Sequence, residues 1–151
     1  ASSFSYEANK KFKKIFPDIK YAGRGYTWAD AMEACPDGWH IPSDEGWEAL
    51  ITHLGGNTAA GTAVKSVNYW HKDANGTNSI GFNALPVGGF WANGKHTGKF
   101  GKNVHYWASE STGSYTALGY LLRSDYSDLM RFTQFYKVQP APCRCEKDYS
   151  N

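Results

Sequence analysis

Apolar residues fall into two regimes along this chain. Between Thr27 and Gly56 they recur at helical spacing; beyond Gly61 they come in brief runs cut by turn residues. Thr27 reads as the N-cap of a first helix, with Asp30 at the capping-box position and Trp28, Ala31, Met32 and Cys35 at i, i+3, i+4 and i+7. Ser43 caps a second helix, in which Trp47, Leu50, Ile51 and Leu54 repeat that spacing before Gly55-Gly56 stops it. Both stripes read as core faces. Residues 1–20 are basic and mixed, with Phe4, Phe12, Ile15 and Phe16 as apolar points and Pro17 as a terminator. A short helix is expected there, outside the main pattern.

From Gly61 on, Asn75-Gly76, Gly88-Gly89, Asn93-Gly94 and Thr112-Gly113 are turn signals at short intervals. Between them Val64, Trp70, Phe82, Ala84, Leu85, Phe90, Trp107, Leu118, Tyr120 and Leu122 read as strand or core positions. Two short helices packed on small twisted antiparallel sheets with long loops make an α+β domain. The segment Cys35 to Trp47 joins the two helices. In it Pro36 and Pro42 fix the backbone, Asp37-Gly38 forms a turn, and Trp39 and Trp47 are expected as core anchors. It is scaffold, with no reactive centre.

A length of 151 residues suits one domain with a sizeable core, and 41% hydrophobic against 20% charged residues describes a folded chain. The formal charge of +2 is too small and scattered for a nucleic-acid partner. Lys10, Lys11, Lys13 and Lys14 form one local cluster, best read as a solvated helix face. No apolar run is long enough to span a membrane, and Ala1-Ser2-Ser3 reads as a start left after processing. Six Trp, ten Tyr and eight Phe are more rings than a core this small needs, which points to a recognition surface. A bridge from Cys35 to Cys143 or Cys145 would stabilise by about 3–5 kcal/mol in the chain-entropy model. Three free thiols are the alternative.

Several blocks stand in an order that resembles a known family. Tyr26-Thr27-Trp28-Ala29-Asp30-Ala31-Met32 precedes Cys35-Pro36-Asp37-Gly38-Trp39-His40-Ile41-Pro42-Ser43-Asp44-Glu45-Gly46-Trp47. Leu54-Gly55-Gly56, Val64-Lys65-Ser66, Gly81-Phe82-Asn83-Ala84-Leu85-Pro86-Val87-Gly88-Gly89, Trp107-Ala108-Ser109-Glu110 and Arg144-Cys145-Glu146 follow. Together they resemble the Fibrobacter succinogenes major paralogous domain, found in surface and secreted bacterial proteins. The resemblance covers residues 25–148, so residues 1–24 are expected as an extension and 25–151 as the domain. It implies a fold similar to C-type lectins and the formylglycine-generating-enzyme group, with Cys35 and Cys145 paired. Two departures stand out. The family usually reads Trp-Ser-Ser-Thr where this chain has Trp107-Ala108-Ser109-Glu110. It usually has Gly-Phe-Ser-Val ahead of the last arginine and cysteine, where this chain has Gln139-Pro140-Ala141-Pro142-Cys143, whose prolines disfavour a strand.

Candidate chemistry is sparse. His40, His53, His71, His96 and His105 show no metal-ligand spacing. Arg144 beside the Cys143 and Cys145 thiols would lower a thiol pKa, a superficial echo of formylglycine-generating enzymes, but no base is placed near it. Asp73, Asn75 and Asn78 could supply oxygens to calcium, although Asn75-Gly76 alone explains that stretch as a turn. The sugar-binding Glu-Pro-Asn and Gln-Pro-Asp motifs of C-type lectins are absent. No other cofactor is expected. The C-terminal third, rich in Tyr, Ser, Arg and Asp on loops, is the remaining candidate. Diversity-generating retroelement variable proteins, to which this family shows a likeness, carry their binding residues in that region. The nominated surface is Trp91, Tyr115, Arg123, Asp125, Tyr126, Arg131, Gln134 and Tyr136. The expected function is non-catalytic recognition or adhesion of a carbohydrate or surface protein by a secreted or cell-surface domain. Alternatives are a subunit of a surface assembly or filament, consistent with a homo-oligomer, and a formylglycine-generating-type oxidase.

Overall fold

The computed structural model describes residues 3–149; Ala1 and Ser2 of the expected processed start lie outside that range. Strand β1 (Ser3–Ser5) pairs antiparallel with β2 (Arg24–Tyr26), Ser3 opposite Tyr26. Helix α1 (Lys10–Ile15) lies between them, capped by the Asn9 side chain, which accepts from Lys11 N at 2.9 Å. Its four lysines face solvent, while Phe12 stacks on Phe16 at 4.8 Å, both buried. Tyr6, Phe12 and Phe16 belong to the same core cluster as Trp47 and Tyr106. The stretch expected as an extension therefore contributes three of the most buried rings of the domain.

Thr27 caps α2 (Trp28–Ala31) as its sequence predicts, accepting from Asp30 N at 3.4 Å. The helix stops after four residues, where the apolar stripe extends to Cys35. Strand β3 (Trp39–His40) pairs with β7 (Glu146–Lys147), and the Cys35–Cys145 disulfide lies beside that pairing. The bridge joins residues 110 apart in sequence, a closure that stabilises by about 4–5 kcal/mol in the chain-entropy model. Ser43 caps α3 (Asp44–His53) through Gly46 N at 3.1 Å, and Gly55 and Gly56 end it at φ +98° and +110°. Trp47 is buried, but Trp39 is 44% exposed, contrary to the expectation that both anchor the core. The reason is positional. A two-stranded ribbon of two-residue strands has no layer packed over it.

A helix that the periodicity does not announce follows, α4 (Asn57–Val64). Its sequence is Ala, Gly and Thr with little amphipathic signal, and packing decides it. A Cβ added at Gly61 would lie 2.0 Å from Ser127 O, so only glycine lets this helix press on the chain at 127–129. Residues 65–102 are largely irregular, held by the isolated bridges Lys65 to Ala84 and Phe90 to His96. The last third is an antiparallel meander, β4 (Asn103–Ser111), β5 (Thr116–Arg123) and β6 (Tyr126–Tyr136). Its inner face (Val104, Tyr106, Leu118, Tyr120, Leu122) is buried with Trp47 stacked on Tyr120 at 5.1 Å. At one end of the outer face, Trp107 and Ala117 are covered with Ala31, Ile41 and Ala141 in a second, smaller core. The proline-rich segment ahead of Cys143 forms no strand, only a bridge of Ala141 to Tyr26.

Candidate binding surface

The β5–β6 hairpin carries Arg123, Asp125 and Tyr126, all exposed. Arg123 grips Asp125 with two hydrogen bonds, Nε to Oδ1 at 2.7 Å and Nη2 to Oδ2 at 2.6 Å. The guanidinium holds the Asp125 carboxyl below the usual carboxylate range. Beneath the hairpin is a residue of the Val64-Lys65-Ser66 block that the sequence assigned to no site. Lys65 is buried, and its Nζ donates to the carbonyls of Arg123 at 2.8 Å and Tyr126 at 3.2 Å, 4.7 Å from the Trp70 ring centre. Burial pushes the Lys65 pKa down. Thr58 on α4 adds a hydrogen bond to Asp128. The hairpin is thus positioned from below by α4 and the residue that follows it.

Tyr115 and Tyr136 lie at the other end of the sheet, 81% and 57% exposed. Their backbones are tied together. Lys137 N donates to Tyr115 O at 2.9 Å, Lys137 Nζ to Ser111 Oγ at 2.7 Å and Gly113 O at 2.8 Å, and Thr112 Oγ1 to Thr133 O at 2.6 Å. Gln134 is exposed on β6 near this end. Seven residue steps of β5 separate Thr116 from Arg123, roughly 24 Å of strand. Trp91, 51% exposed, stands apart on a turn ending at Gly94 that rests on Phe4 of β1. Six of the nominated residues therefore form two groups at opposite ends of one sheet, with Trp91 and Arg131 elsewhere.

Arg131 belongs to neither group. It makes two hydrogen bonds to Asp44, Nε to Oδ1 and Nη2 to Oδ2, both 2.9 Å, and so fastens β6 to the start of α3. The Tyr120 hydroxyl shares its proton between Asp44 at 2.6 Å and Glu48 at 2.8 Å. Burial raises the Tyr120 pKa, and the two carboxylates raise it further; Arg131 lowers that of Asp44. The role of Arg131 in this geometry is to clamp, because its bidentate edge is engaged by Asp44.

Compared with protein-family models, residues 3–145 match the Fibrobacter succinogenes major domain. The chain belongs to that family. No curated protein and no solved structure shows a significant match. The match begins at Ser3, in accord with the packing of β1 and α1 into the core. In this member of the family, the departure at Glu110 has a structural use. Its Oε2 accepts from Asp44 N at 2.8 Å, adding a second cap to α3 beside Ser43.

The remaining candidates resolve by geometry. Asn75 Oδ1 accepts from Trp70 N at 2.9 Å and Asn78 Oδ1 from Asn83 N at 2.7 Å, so two of the three suggested calcium ligands turn toward backbone. Asp73 and Asn75 line a polar cleft of about 710 Å³ beside Asp125 and Asp128. Among the described residues no three His, Cys, Asp or Glu side chains come together as a metal site. His40 bonds to Asp148 and, at 3.2 Å, to Glu146; the Asp148 bond raises its pKa. His96 stacks on Phe100 at 3.7 Å, accepts from Gly98 N and donates to Val87 O, and burial lowers its pKa. His105 stacks on Phe135 at 3.8 Å, and burial pushes it down to about 3. Cys143 is free, and burial raises its thiol to about 11. That outweighs Arg144, whose guanidinium lies 4.5 Å over Phe82, and reverses the expectation of a lowered thiol pKa.

Proposed function

We propose that this domain is a non-catalytic, extracellular recognition and adhesion module, binding a carbohydrate or a surface protein through the aromatic and polar residues of its C-terminal third. One observation carries the reading. Tyr115, Tyr126 and Tyr136 hold their rings 81%, 51% and 57% exposed on backbone that side-chain and backbone bonds pin down. Large rings on a rigid support give contact area at low entropic cost. The α+β arrangement, with the C-terminal strand tied to residues 35–40 by β3–β7 and the disulfide, is consistent with the C-type-lectin-like fold that the family resemblance implies. A long-range disulfide suits an oxidising, secreted or cell-surface setting. No helix among the described residues is long and apolar enough to cross a membrane. The half-buried Cys143, whose thiol burial raises to about 11, favours the non-catalytic reading over an oxidase.

A second reading, assembly into a surface layer or filament, has one observation of its own. Strand β6 is eleven residues long and outermost, and no further strand pairs with it among the described residues. A glycan array combined with size-exclusion chromatography separates the two. The recognition reading expects a monomer whose binding weakens about tenfold in Tyr115→Ala/Tyr126→Ala while the melting temperature holds, as surface changes usually allow. A concentration-dependent oligomer that binds nothing on the array would favour assembly.

A further inference from the structure

The open end of the outer sheet face forms a cleft of about 520 Å³, within the size range of small-molecule and short-oligomer sites. Its floor follows from strand alternation. Asn103 and His105 on β4 sit opposite Arg123 and Leu121 on β5, and the Phe135 ring stacks on His105. Leu121 and Phe135 are half-buried, which leaves a modest apolar floor. The rim is cationic. Lys72, Lys99 and Lys102 are exposed, and none has a carboxylate within 4.0 Å among the described residues. The acid of this cleft, Asp125, is already held by Arg123.

These lysines come from two separate loops that backbone bonds fasten around the cleft. Lys102 N donates to Lys99 O at 3.0 Å, Ser124 N to Lys102 O at 2.8 Å, and His71 N to Gly101 O at 2.8 Å. Lys72 and Asp73 both hold left-handed backbone, φ +57° and +56°, which non-glycine residues rarely adopt. The rim is built by tertiary structure, and its three lysines line one cleft with no ion pair among the described residues. Three ammonium groups around a cleft whose carboxylate, Asp125, is taken up by Arg123 lower the free energy of an anion placed between them.

We infer that this cleft binds an acidic polysaccharide, a carboxylate- or sulfate-bearing sugar unit lying with its C–H face on Leu121 and Phe135 and its anion toward Lys72, Lys99 and Lys102. The inference rests on the recognition reading above and names the ligand class for that module. Lysine suits the task because it is a compact point charge that takes either anion without demanding bidentate geometry. A single-stranded nucleic acid fits less well. Such sites follow the backbone along an extended groove and stack successive bases on open rings, whereas here the charge is compact and His105 covers one face of Phe135.

The test is calorimetric titration of the whole chain with polygalacturonate, dextran sulfate, neutral dextran and oligothymidylate. Binding is expected to polygalacturonate or dextran sulfate, whichever anion the rim prefers, and not to dextran. It should weaken about tenfold in Lys99→Ala/Lys102→Ala and several-fold in Lys72→Ala, with unchanged melting temperatures, and fall steeply between 0.1 and 0.5 M salt. Oligothymidylate bound as tightly and lost in the same variants would mark a generic polyanion patch and overturn the inference. Acidic polysaccharide binding that survives both lysine variants would also overturn it. If that binding instead disappears in Tyr115→Ala/Tyr126→Ala, recognition stands and this cleft is not its site. If neither acidic polymer binds, the inference falls, while a hit on the glycan array would still uphold the module.

Discussion

The two faces of the β4–β5–β6 sheet are written by alternate residues of the same strands, yet they end in opposite states. On the inner face Tyr106, Leu118, Tyr120 and Leu122 are at most 3% exposed, against Trp47 and the rings packed around it. On the outer face Leu121 and Phe135 are half-buried and Phe132 is 42% exposed. Leu121 is no less apolar than its neighbour Leu122. What differs is the layer above. Helix α3 brings Trp47 and two carboxylates onto the inner face, and the Tyr120 hydroxyl reaching in there finds Asp44 and Glu48. Over the open end of the outer face there are only loop edges bearing lysines. A face that stays half-open with charge on its rim is where a ligand can replace the missing layer.

The sharpest way to break this comparison is to truncate one ring on each side. Trp47→Ala should destabilise by about 3–5 kcal/mol through the cavity it leaves, and Phe132→Ala by less than about 1 kcal/mol, as at other exposed positions. Urea denaturation measures both, and similar losses would mean that the outer face is as tightly packed as the inner. Because Trp47 Nε1 is buried with no partner among the described residues, Trp47→Phe should lose markedly less than Trp47→Ala.

A middle-sized effect is expected at Lys65, which links the two halves. Lys65→Met keeps the apolar stem and removes the bonds to the Arg123 and Tyr126 carbonyls. A loss of about 1–3 kcal/mol should follow, the scale of a hydrogen-bonded charged group. Hydrogen exchange should quicken at residues 123–128, which would show that the hairpin bounding the outer cleft is held from the inner side. Unchanged exchange there would detach the two.

The smallest effect is electrostatic. The Asp44 carboxyl is held below its ordinary value, mainly by Arg131, so its contribution is present above the unfolded pKa near 4 and lost as the pH falls through the lowered folded value. With both side chains partly exposed, the loss should stay below about 1 kcal/mol. Arg131→Gln should flatten that acid limb in pH-dependent denaturation. An identical acid limb in the variant would assign the clamp no role. His40 works in the opposite direction. Its raised pKa makes its contribution complete below the unfolded value near 6.5 and lost as the pH rises through the folded one.

Much of the candidate site was legible only in pieces. The exposure of Tyr115, Tyr126, Tyr136 and the hairpin charges followed from turn residues beside them, since turns place side chains at the surface. Arg131 carried the same local signal as Arg123 but met Asp44, 87 residues earlier in the chain. Glu110 and Lys65 gave no local sign of their roles, because their partners, Asp44 N and the Arg123 and Tyr126 carbonyls, lie far away in sequence. The rim lysines were hidden for the same reason, in loops nearly thirty residues apart within a chain of formal charge +2.

By itself the sequence determined the features whose physics closes within a few residues. These are the caps at Thr27 and Ser43, the glycine stop after α3, the turns of the last third, the family through its ordered blocks, and the α+β class. Tertiary structure alone decided the rest. It chose Trp47 over Trp39 for the core, made a helix of residues 57–64 by letting Gly61 touch the 127–129 backbone, and anchored residues 3–24 to the core through Tyr6, Phe12 and Phe16. It also left one end of a sheet face uncovered and ringed it with charge. Caps and turns are settled by bonds between near neighbours, where the entropy of closure is small. Burial depends on which distant segment arrives to cover a side chain, and that is known only once the whole chain has packed.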